Sequence, residues 1–134
     1  MLHSKYVIIL GGICMTIHES GEMYLESILV LSQTIANVRA IDIVNHTGYS
    51  KPSISRALGL LKKDNMITVD DNGYIKLTES GRSHATKIYE RHSILTAYFM
   101  KLGVSEETAA SDACKIEHVI SDETFEKIKE HVNK

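Results

Sequence analysis

Two short β-prone runs interrupt an otherwise helical hydrophobic pattern, and this change in the spacing of apolar residues is the feature that most constrains the fold. Residues 66–69 (MITV) and 74–77 (YIKL) are rich in residue types that favour strands. Between them, residues 70–73 (DDNG) carry a strong hairpin-turn signal. The sequence therefore predicts a small two-stranded antiparallel wing with helical segments on both sides.

The segments before this hairpin carry apolar side chains at helical spacing, which predicts three helices at residues 19–36, 38–47 and 50–64. Gly48 ends the second helix, as glycine commonly does after a helix C-terminus. Ser50 is an N-cap candidate for the third helix, and Pro52 lies in its first turn, where a missing N–H breaks no hydrogen bond. Two helices joined by a glycine turn form a helix-turn-helix, to which the hairpin adds a wing.

The residues after the hairpin return to a helical pattern, which predicts helices at 78–103, 105–119 and 121–132. The predicted fold class is therefore mainly α with a small β-wing, namely a winged helix-turn-helix followed by a helical domain. The apolar run at 6–15 is too short to span a bilayer, and we assign no role to an extension at residues 1–15.

The charge is unevenly distributed, although the formal net charge is only −2. Between positions 36 and 65, five cationic residues stand against two acidic ones, whereas eight acidic residues stand against four lysines between 102 and 134. A basic middle and an acidic end favour a chain in which one half binds nucleic acid and the other half has a different role.

The predicted third helix has the composition of a recognition helix, which places short polar and cationic side chains at its N-terminal end to reach base edges. Arg56 is expected to pair with guanine, a contact that contributes ~1–3 kcal/mol of discrimination. Lys51 and Lys62 are better placed for phosphates, which anchor the protein without specifying sequence. The predicted DNA-contacting residues are Arg39, Ser50, Lys51, Pro52, Ser53, Ser55, Arg56 and Lys62.

A candidate metal site stands out in the second half of the chain. Cys114, Glu117 and His118 occupy positions i, i+3 and i+4 of a predicted helix and so share one face. Thiolate, carboxylate and imidazole together suit Fe(II), Mn(II), Co(II) or Zn(II). Further candidate ligands on other predicted helices are Met23, Glu26 and His92. Each residue alone has a commoner structural role, and the combination with a winged helix-turn-helix is what favours a metal-responsive regulator.

The chain resembles the diphtheria toxin repressor family of metal-dependent regulators over residues 16–132. The most specific segments are 22–25 (EMYL), 77–82 (LTESGR), 90–92 (ERH) and 112–123 (DACKIEHVISDE). The resemblance implies an iron-type ligand set of Met23, Cys114, Glu117 and His118. It also matches His92 to a histidine of the manganese-type site and of the iron-type ancillary site, and Glu26 to a carboxylate of the manganese regulators.

The chain combines iron-type and manganese-type features. Thr96 and Ala110 stand where the iron-type ancillary site has a carboxylate and a histidine, so we expect that site to be incomplete. The manganese regulators carry carboxylates at the positions of Met23 and Cys114. Two sulfur ligands favour Fe(II), with Mn(II) as the alternative, and Zn(II), Co(II) or Ni(II) are expected to bind in vitro. The resemblance also implies a short form without the family's C-terminal SH3-like domain.

The predicted function is a metal-activated transcriptional repressor of metal homeostasis, not an enzyme. We expect a winged helix-turn-helix DNA-binding domain at residues 16–78 and a metal-binding and dimerisation domain at 79–134. The expected partners are a double-stranded DNA operator and a second copy of the chain, because residues 104–132 carry more apolar positions than a helical pair can hide. No membrane and no small organic substrate are expected. Two cysteines a hundred residues apart favour a reduced, cytoplasmic protein.

Three other functions remain open from the sequence. The main alternative is a winged-helix regulator that senses a thiol oxidant or a small molecule without metal, with Cys114 as a redox switch. A second is a metal-dependent hydrolase, although no glycine-rich phosphate loop, nucleophile elbow or His-Glu-x-x-His motif is present. A third is a metal-buffering or interaction module whose winged helix no longer binds DNA.

Overall fold

A computed structural model describes residues 21–133, which form six helices and a two-stranded sheet. In chain order, the elements are α1 (Gly21–Ser32), α2 (Ala40–Thr47), α3 (Lys51–Lys63), β1 (Ile67–Val69), β2 (Ile75–Leu77), α4 (Glu79–Lys101), α5 (Glu106–Ile116) and α6 (Asp122–Val132). The extension predicted at residues 1–15 and the domain start predicted at residue 16 lie outside the described residues. The mainly helical fold with a β-wing is as predicted.

The helices begin at capping residues that the sequence displays. The side chains of Ser50, Thr78, Ser105 and Ser121 each accept a hydrogen bond from the backbone N–H three residues later. Such a cap contributes about 1 kcal/mol to helix stability. Gly48 ends α2 with a left-handed φ of 80°, which a residue without a Cβ adopts at little cost.

The wing is closed by its own turn and attached to the rest of the fold. β1 and β2 pair antiparallel, with Ile67 opposite Leu77 and Val69 opposite Ile75. Asp70 Oδ1 accepts hydrogen bonds from the N–H groups of residues 72 and 74, both at 2.9 Å. Val38, before α2, adds a further bridge because its carbonyl accepts the Ile75 N–H at 2.7 Å. The wing is therefore held against the helix-turn-helix.

A close backbone approach joins the wing to α4. A Cβ added at Gly81, in the first turn of α4, would lie 1.9 Å from the carbonyl oxygen of Met66. Thr78 completes the junction, since its hydroxyl donates to the Asn65 carbonyl at 2.8 Å and its N–H to the Met66 carbonyl at 3.0 Å. Only glycine fits at position 81 without movement of the backbone.

Helix α1 links the two halves of the fold. It packs against α2, α3 and β2 on one side and against α4 on the other. A large hydrophobic cluster fills this region and includes the fully buried side chains of Tyr24, Ile43 and Ile54. A smaller cluster of Leu95, Ala113 and Phe125 lies where α4, α5 and α6 meet. None of the helices within residues 21–133 is long and apolar enough to cross a membrane.

Several predicted helix boundaries are wrong. The first helix, predicted to reach residue 36, ends at Ser32, and the second, predicted to start at residue 38, begins at Ala40.

The third of these boundaries lies next to the candidate site. The sequence predicted a helix at 105–119, whereas α5 ends at Ile116 and the next three residues form a turn. Glu117 nevertheless keeps helical backbone angles (φ −56°, ψ −26°), and its N–H binds the Ala113 carbonyl at 2.9 Å. The helical spacing thus reaches Glu117, but His118 belongs to the turn.

Candidate metal centre

Three buried polar side chains from three elements converge between α1, α4 and the end of α5. Glu26 of α1, His92 of α4 and Glu117 each offer a ligand atom, and these atoms all lie within 4.8 Å of one another. The three residues are 5%, 2% and 0% exposed, respectively. Two carboxylates are seldom buried together unless a cation or a proton compensates their charge.

Glu117 lies between two imidazoles. Its Oε2 is 3.0 Å from His92 Nδ1, and its Oε1 is 3.3 Å from His118 Nε2. The other ring nitrogen of His118, Nδ1, lies 3.1 Å from Oε1 of Glu22, in the first turn of α1. His118 therefore bridges the centre and a carboxylate at its edge.

The centre fits a divalent cation. Among the described residues, Glu26 Oε2 and Glu117 Oε1 are buried and have no hydrogen-bond partner, since the 3.3 Å contact of His118 lacks hydrogen-bond geometry. An unsatisfied buried polar group costs about 1–3 kcal/mol, and more when it is charged. Carboxylate oxygens and imidazole nitrogens are the donors that divalent transition metals accept, so one cation would satisfy both oxygens.

The pKa shifts of Glu26 and His118 in the metal-free centre also favour a bound cation. Burial raises the pKa of Glu26 well above its usual value, and the charge and contact of Glu117 raise it further, with a smaller effect from Glu22. Burial lowers the pKa of His118, but its contacts with Glu117 and Glu22 and their charges outweigh burial and raise it overall. Both shifts favour the protonated forms of these groups in the metal-free centre, so a cation would compete with protons there.

The two sulfur candidates lie in the hydrophobic core, and the group of converging ligand atoms does not include Cys114. Met23 and Cys114 are both buried and belong to the large hydrophobic cluster around α1. The sequence favours a reduced thiol, whereas the Cys114 sulfur takes part in a disulfide in this structure. A role for Cys114 as a thiolate ligand therefore requires the reduced protein.

Arg91 holds the turn that carries Glu117 and His118. Its guanidinium donates to the Glu117 carbonyl at 3.2 Å and to the Ile120 carbonyl at 2.9 Å. It also pairs with the Asp122 carboxylate and lies over the Phe125 ring, 5.4 Å from its centre. Arg91 is buried, so these contacts fix the turn from inside the helical domain.

Two contributing residues are not among those predicted from the sequence: Glu22, which contacts His118, and Arg91, which holds the turn. Glu22 lies four residues before Glu26 and so on the same face of α1, and Arg91 precedes His92 within the ERH segment.

Seven of the eight predicted DNA-binding residues lie in or directly before α3, and Arg39 directly precedes α2. Ser50 caps α3, and its hydroxyl is 2.9 Å from that of Ser53, which is half-buried. Arg39 stacks over the ring of Tyr74 in the wing at 4.8 Å. The exposed members of the predicted set are Arg39, Ser50, Lys51, Pro52, Ser55, Arg56 and Lys62.

Known proteins resemble both halves of this arrangement. The family model for the metal binding and dimerisation domain of iron dependent repressors matches residues 78–134. The transcriptional regulator MntR of Escherichia coli strain CFT073 is 32% identical over 103 residues, which are 77% of this chain and 66% of that protein. The chain belongs to the diphtheria toxin repressor and MntR family.

Other members of the family and a solved structure resemble the chain in the same way. The diphtheria toxin repressor of Corynebacterium jeikeium strain K411 is 30% identical over 107 residues, 78% of this chain and 44% of that protein. The structure of the manganese regulator SloR matches the fold with a TM-score of 0.76 at 23% identity, covering 85% of this chain and 54% of that one. The chain thus spans 66% of MntR and 44% of the diphtheria toxin repressor.

This family member lacks the donors expected for an iron-type ancillary site. The hydroxyl of Thr96, which stands in place of the carboxylate, donates to the His92 carbonyl at 2.7 Å within α4. Ala110, in place of the histidine, is buried in the large hydrophobic cluster. Among the described residues, the His, Cys, Asp and Glu side chains close enough to share an ion are those of Glu26, His92 and Glu117.

Proposed function

We propose that this protein is a divalent-metal-dependent, DNA-binding transcriptional repressor of metal homeostasis that acts as a cytoplasmic homodimer and is not an enzyme. The observation that carries the proposal is the buried group of Glu26, His92 and Glu117, in which two carboxylate oxygens have no hydrogen-bond partner among the described residues. Membership of the diphtheria toxin repressor and MntR family supports it.

The proposed ligands are Met23, Glu26, His92, Glu117 and His118, with Cys114 joining them in the reduced protein. The bound metal would supply positive charge between the two buried carboxylates. Glu26 belongs to a helix that packs against α3, whereas Glu117 follows α5, which packs against α4. Binding at both residues would fix the position of the recognition helix relative to the helical domain.

Fixing that position matters because a dimer must present two recognition helices to successive major grooves, about 34 Å apart. We propose that α5 and α6 form the dimer surface and that residues 16–78 and 79–134 act as the two functional domains. Metal binding then shifts the population toward the DNA-competent geometry, and DNA tightens metal binding by the same factor.

The proposed ion is Fe(II), with Mn(II) as the alternative. Sulfur from Met23 and reduced Cys114 favours Fe(II), because softer donors favour metals later in the divalent series. The buried group of Glu26, His92 and Glu117 offers only oxygen and nitrogen donors, a set that suits Mn(II) equally well. The oxidation state of Cys114 should therefore influence which ion is preferred.

DNA binding is proposed for the exposed surface of α3, with Arg56 at the base edges and Lys51 and Lys62 at phosphates. Arg39, stacked on Tyr74, would extend this surface from α2 to the wing. The remaining proposed contacts come from the polar start of α3, namely Ser50, Pro52, Ser53 and Ser55.

Fluorescence anisotropy with DNA from the region upstream of the protein's own coding sequence tests the proposal. The reduced protein is titrated anaerobically at fixed salt, first with chelator and then with Fe(II), Mn(II) or Zn(II) separately. We expect at least a tenfold rise in affinity with one metal, which corresponds to about 1.4 kcal/mol of coupling. The Glu117→Gln variant should lose this response, whereas Glu79→Gln, an exposed charge change in the first turn of α4, should keep it. Equal DNA affinity with chelator and with every metal would contradict the proposal.

A further inference from the structure

Glu22 lies at the edge of the centre and contacts His118 through one carboxylate oxygen. Its Oε1 lies 3.1 Å from His118 Nδ1, a contact between residues 96 positions apart in the sequence. The His118 side chain is 5% exposed, whereas that of Glu22 is 42% exposed. The opposite ring nitrogen of His118, Nε2, faces Glu117 Oε1 at 3.3 Å. The imidazole therefore stands between an outer carboxylate and the inner one.

The two nitrogens of an imidazole have different roles at a metal. A ligating nitrogen must offer its lone pair, so the ring proton has to be on the other nitrogen. In metalloproteins a carboxylate or a carbonyl commonly accepts that second N–H, which fixes both the tautomer and the orientation of the ring. Glu22 occupies this position relative to His118.

We propose that Glu22 is a positioning residue that accepts the Nδ1–H of His118 and directs the Nε2 lone pair at the centre. The inference deepens the proposed function, since it takes His118 as a ligand of the metal. Glu22 lies on the far side of the ring from Glu117 and is much more exposed than Glu26, its neighbour on α1. From these positions, Glu26 would act as a ligand of the metal, and Glu22 would orient the His118 ring.

The same contact joins the two parts of the molecule that the metal would tie together. Glu22 belongs to α1, which packs against the helix-turn-helix, and His118 follows α5 in the helical domain. Glu22 therefore orients a ligand from one half by means of a helix that belongs to the other. Loss of this contact should weaken metal binding without removing a ligand.

Metal affinity of the reduced full chain tests the proposal, measured for Mn(II) and for Fe(II) by competition with a chromophoric chelator. Glu22→Ala removes the acceptor and is expected to lower affinity by about 10–100-fold. Glu22→Gln keeps an oxygen that can accept the Nδ1–H but carries no charge, so it should retain most of the affinity. Glu79→Ala removes an exposed carboxylate in the first turn of α4, thirteen residues before His92, and should bind as the unmodified chain does.

A second readout reports on the ring itself. In the Zn(II)-loaded protein, the His118 Nδ1–H signal in nitrogen-15 NMR, assigned with a His118→Gln variant, should be protected from solvent exchange. Protection should persist in Glu22→Gln and be lost in Glu22→Ala. If a thermal melt shows that Glu22→Ala is unfolded, Glu22→Asp replaces it, because its side chain is one methylene shorter and its oxygens no longer reach His118. Glu22→Asp should then show the same losses of metal affinity and of Nδ1–H protection.

The outcomes separate this inference from the proposed function. Equal losses of affinity in Glu22→Ala and Glu22→Gln would show that Glu22 acts through its charge or as a ligand, and would overturn the positioning role. Unchanged affinity or unchanged Nδ1–H protection in Glu22→Ala would overturn it too, while leaving the proposed function intact. Failure of the unmodified chain to bind any of the ions would refute the proposed function, and this inference with it.

Discussion

Replacing Glu26 by glutamine should change the stability of the protein in opposite directions with and without metal. Without metal, Glu26 is buried against Glu117, and one oxygen of each carboxylate lacks a hydrogen-bond partner among the described residues. Glutamine has the same shape, carries no charge and places an amide N–H donor near the Glu117 carboxylate. At a pH above the folded-state pKa of Glu26 both carboxylates are charged, and an unsatisfied buried polar group costs about 1–3 kcal/mol. Metal-free Glu26→Gln should therefore be more stable by a similar amount at such a pH.

With metal, the order of stability should reverse. A ligand that binds only the folded state stabilises it by about 2.7 kcal/mol at a concentration one hundred times its Kd. Glu26→Gln loses an anionic ligand from a centre that contains two, so most of this stabilisation should disappear. For a chain of 134 residues, each kcal/mol corresponds to a shift in Tm of about 4 °C. Both effects are therefore measurable by thermal denaturation.

The pH dependence of the metal-free protein gives an independent measure. Burial, followed by the charge and contact of Glu117, raises the pKa of Glu26 in the folded state, so the folded protein binds more protons than the unfolded chain. Stability should then fall as the pH rises above about 4.5, until the folded-state pKa is passed. Glu26→Gln should abolish this part of the slope. The raised pKa of His118 adds a loss of stability above its usual 6.5, which the variant retains.

Thermal melts with chelator and with saturating Mn(II), at several pH values, would measure all three effects. Glu79→Gln makes the same charge change at an exposed position of α4 and should gain as much in Tm from metal as the unmodified protein does. A metal-free Glu26→Gln protein that is less stable than the unmodified protein, at a pH where both carboxylates are charged, would refute the predicted cost of the buried charges. An equal rise in Tm with metal in both proteins would refute a role of Glu26 as a ligand.

Two further predictions concern the wing junction and the recognition helix. Gly81→Ala should lower the free energy of unfolding by about 1–3 kcal/mol, because its Cβ would overlap the Met66 carbonyl. Gly59→Ala, at an exposed position of α3, should raise the free energy of unfolding by up to about 1 kcal/mol. Urea denaturation of both variants measures these changes. Arg56→Ala should lose about 1–3 kcal/mol of preference for the operator over other DNA. Lys62→Ala should weaken binding to all sequences and lower the slope of log affinity against log salt concentration by about one. Fluorescence anisotropy at several salt concentrations distinguishes the base contact from the phosphate contact.

Local signals explain why most of the fold follows from the sequence. The DDNG turn forms its hydrogen bonds within five residues, as in the contact of Asp70 with the N–H of Tyr74. The helix caps likewise bind N–H groups only three residues away. The end of α5 depends instead on Arg91, which is 26 positions from Glu117 and captures its carbonyl. No glycine or proline marks that boundary, so a local pattern extended the helix too far.

The same distinction between local and long-range contacts applies to the candidate site. The spacing of Cys114, Glu117 and His118 is local, so the sequence alone could place them together. Glu26 and His92 were candidates by residue type, but nothing in their spacing relates them to Glu117, so only the resemblance to a known family assigned them to the same site. Glu22 was missed because its partner is 96 positions away and a single glutamate on a helix is normally a solvated charge.

The burial of α1 explains how a small change at the centre can reach the DNA-binding surface. Nine consecutive residues of this helix, Met23–Leu31, are buried, so its middle has no solvent-exposed face. Such a helix cannot shift Glu26 alone, because close packing on every side couples its movement to that of its neighbours. Those neighbours include α3 and β2, as well as α4, which carries His92. A metal bound by Glu26 and Glu117 would therefore act on α3 and the wing through direct packing, without a separate relay.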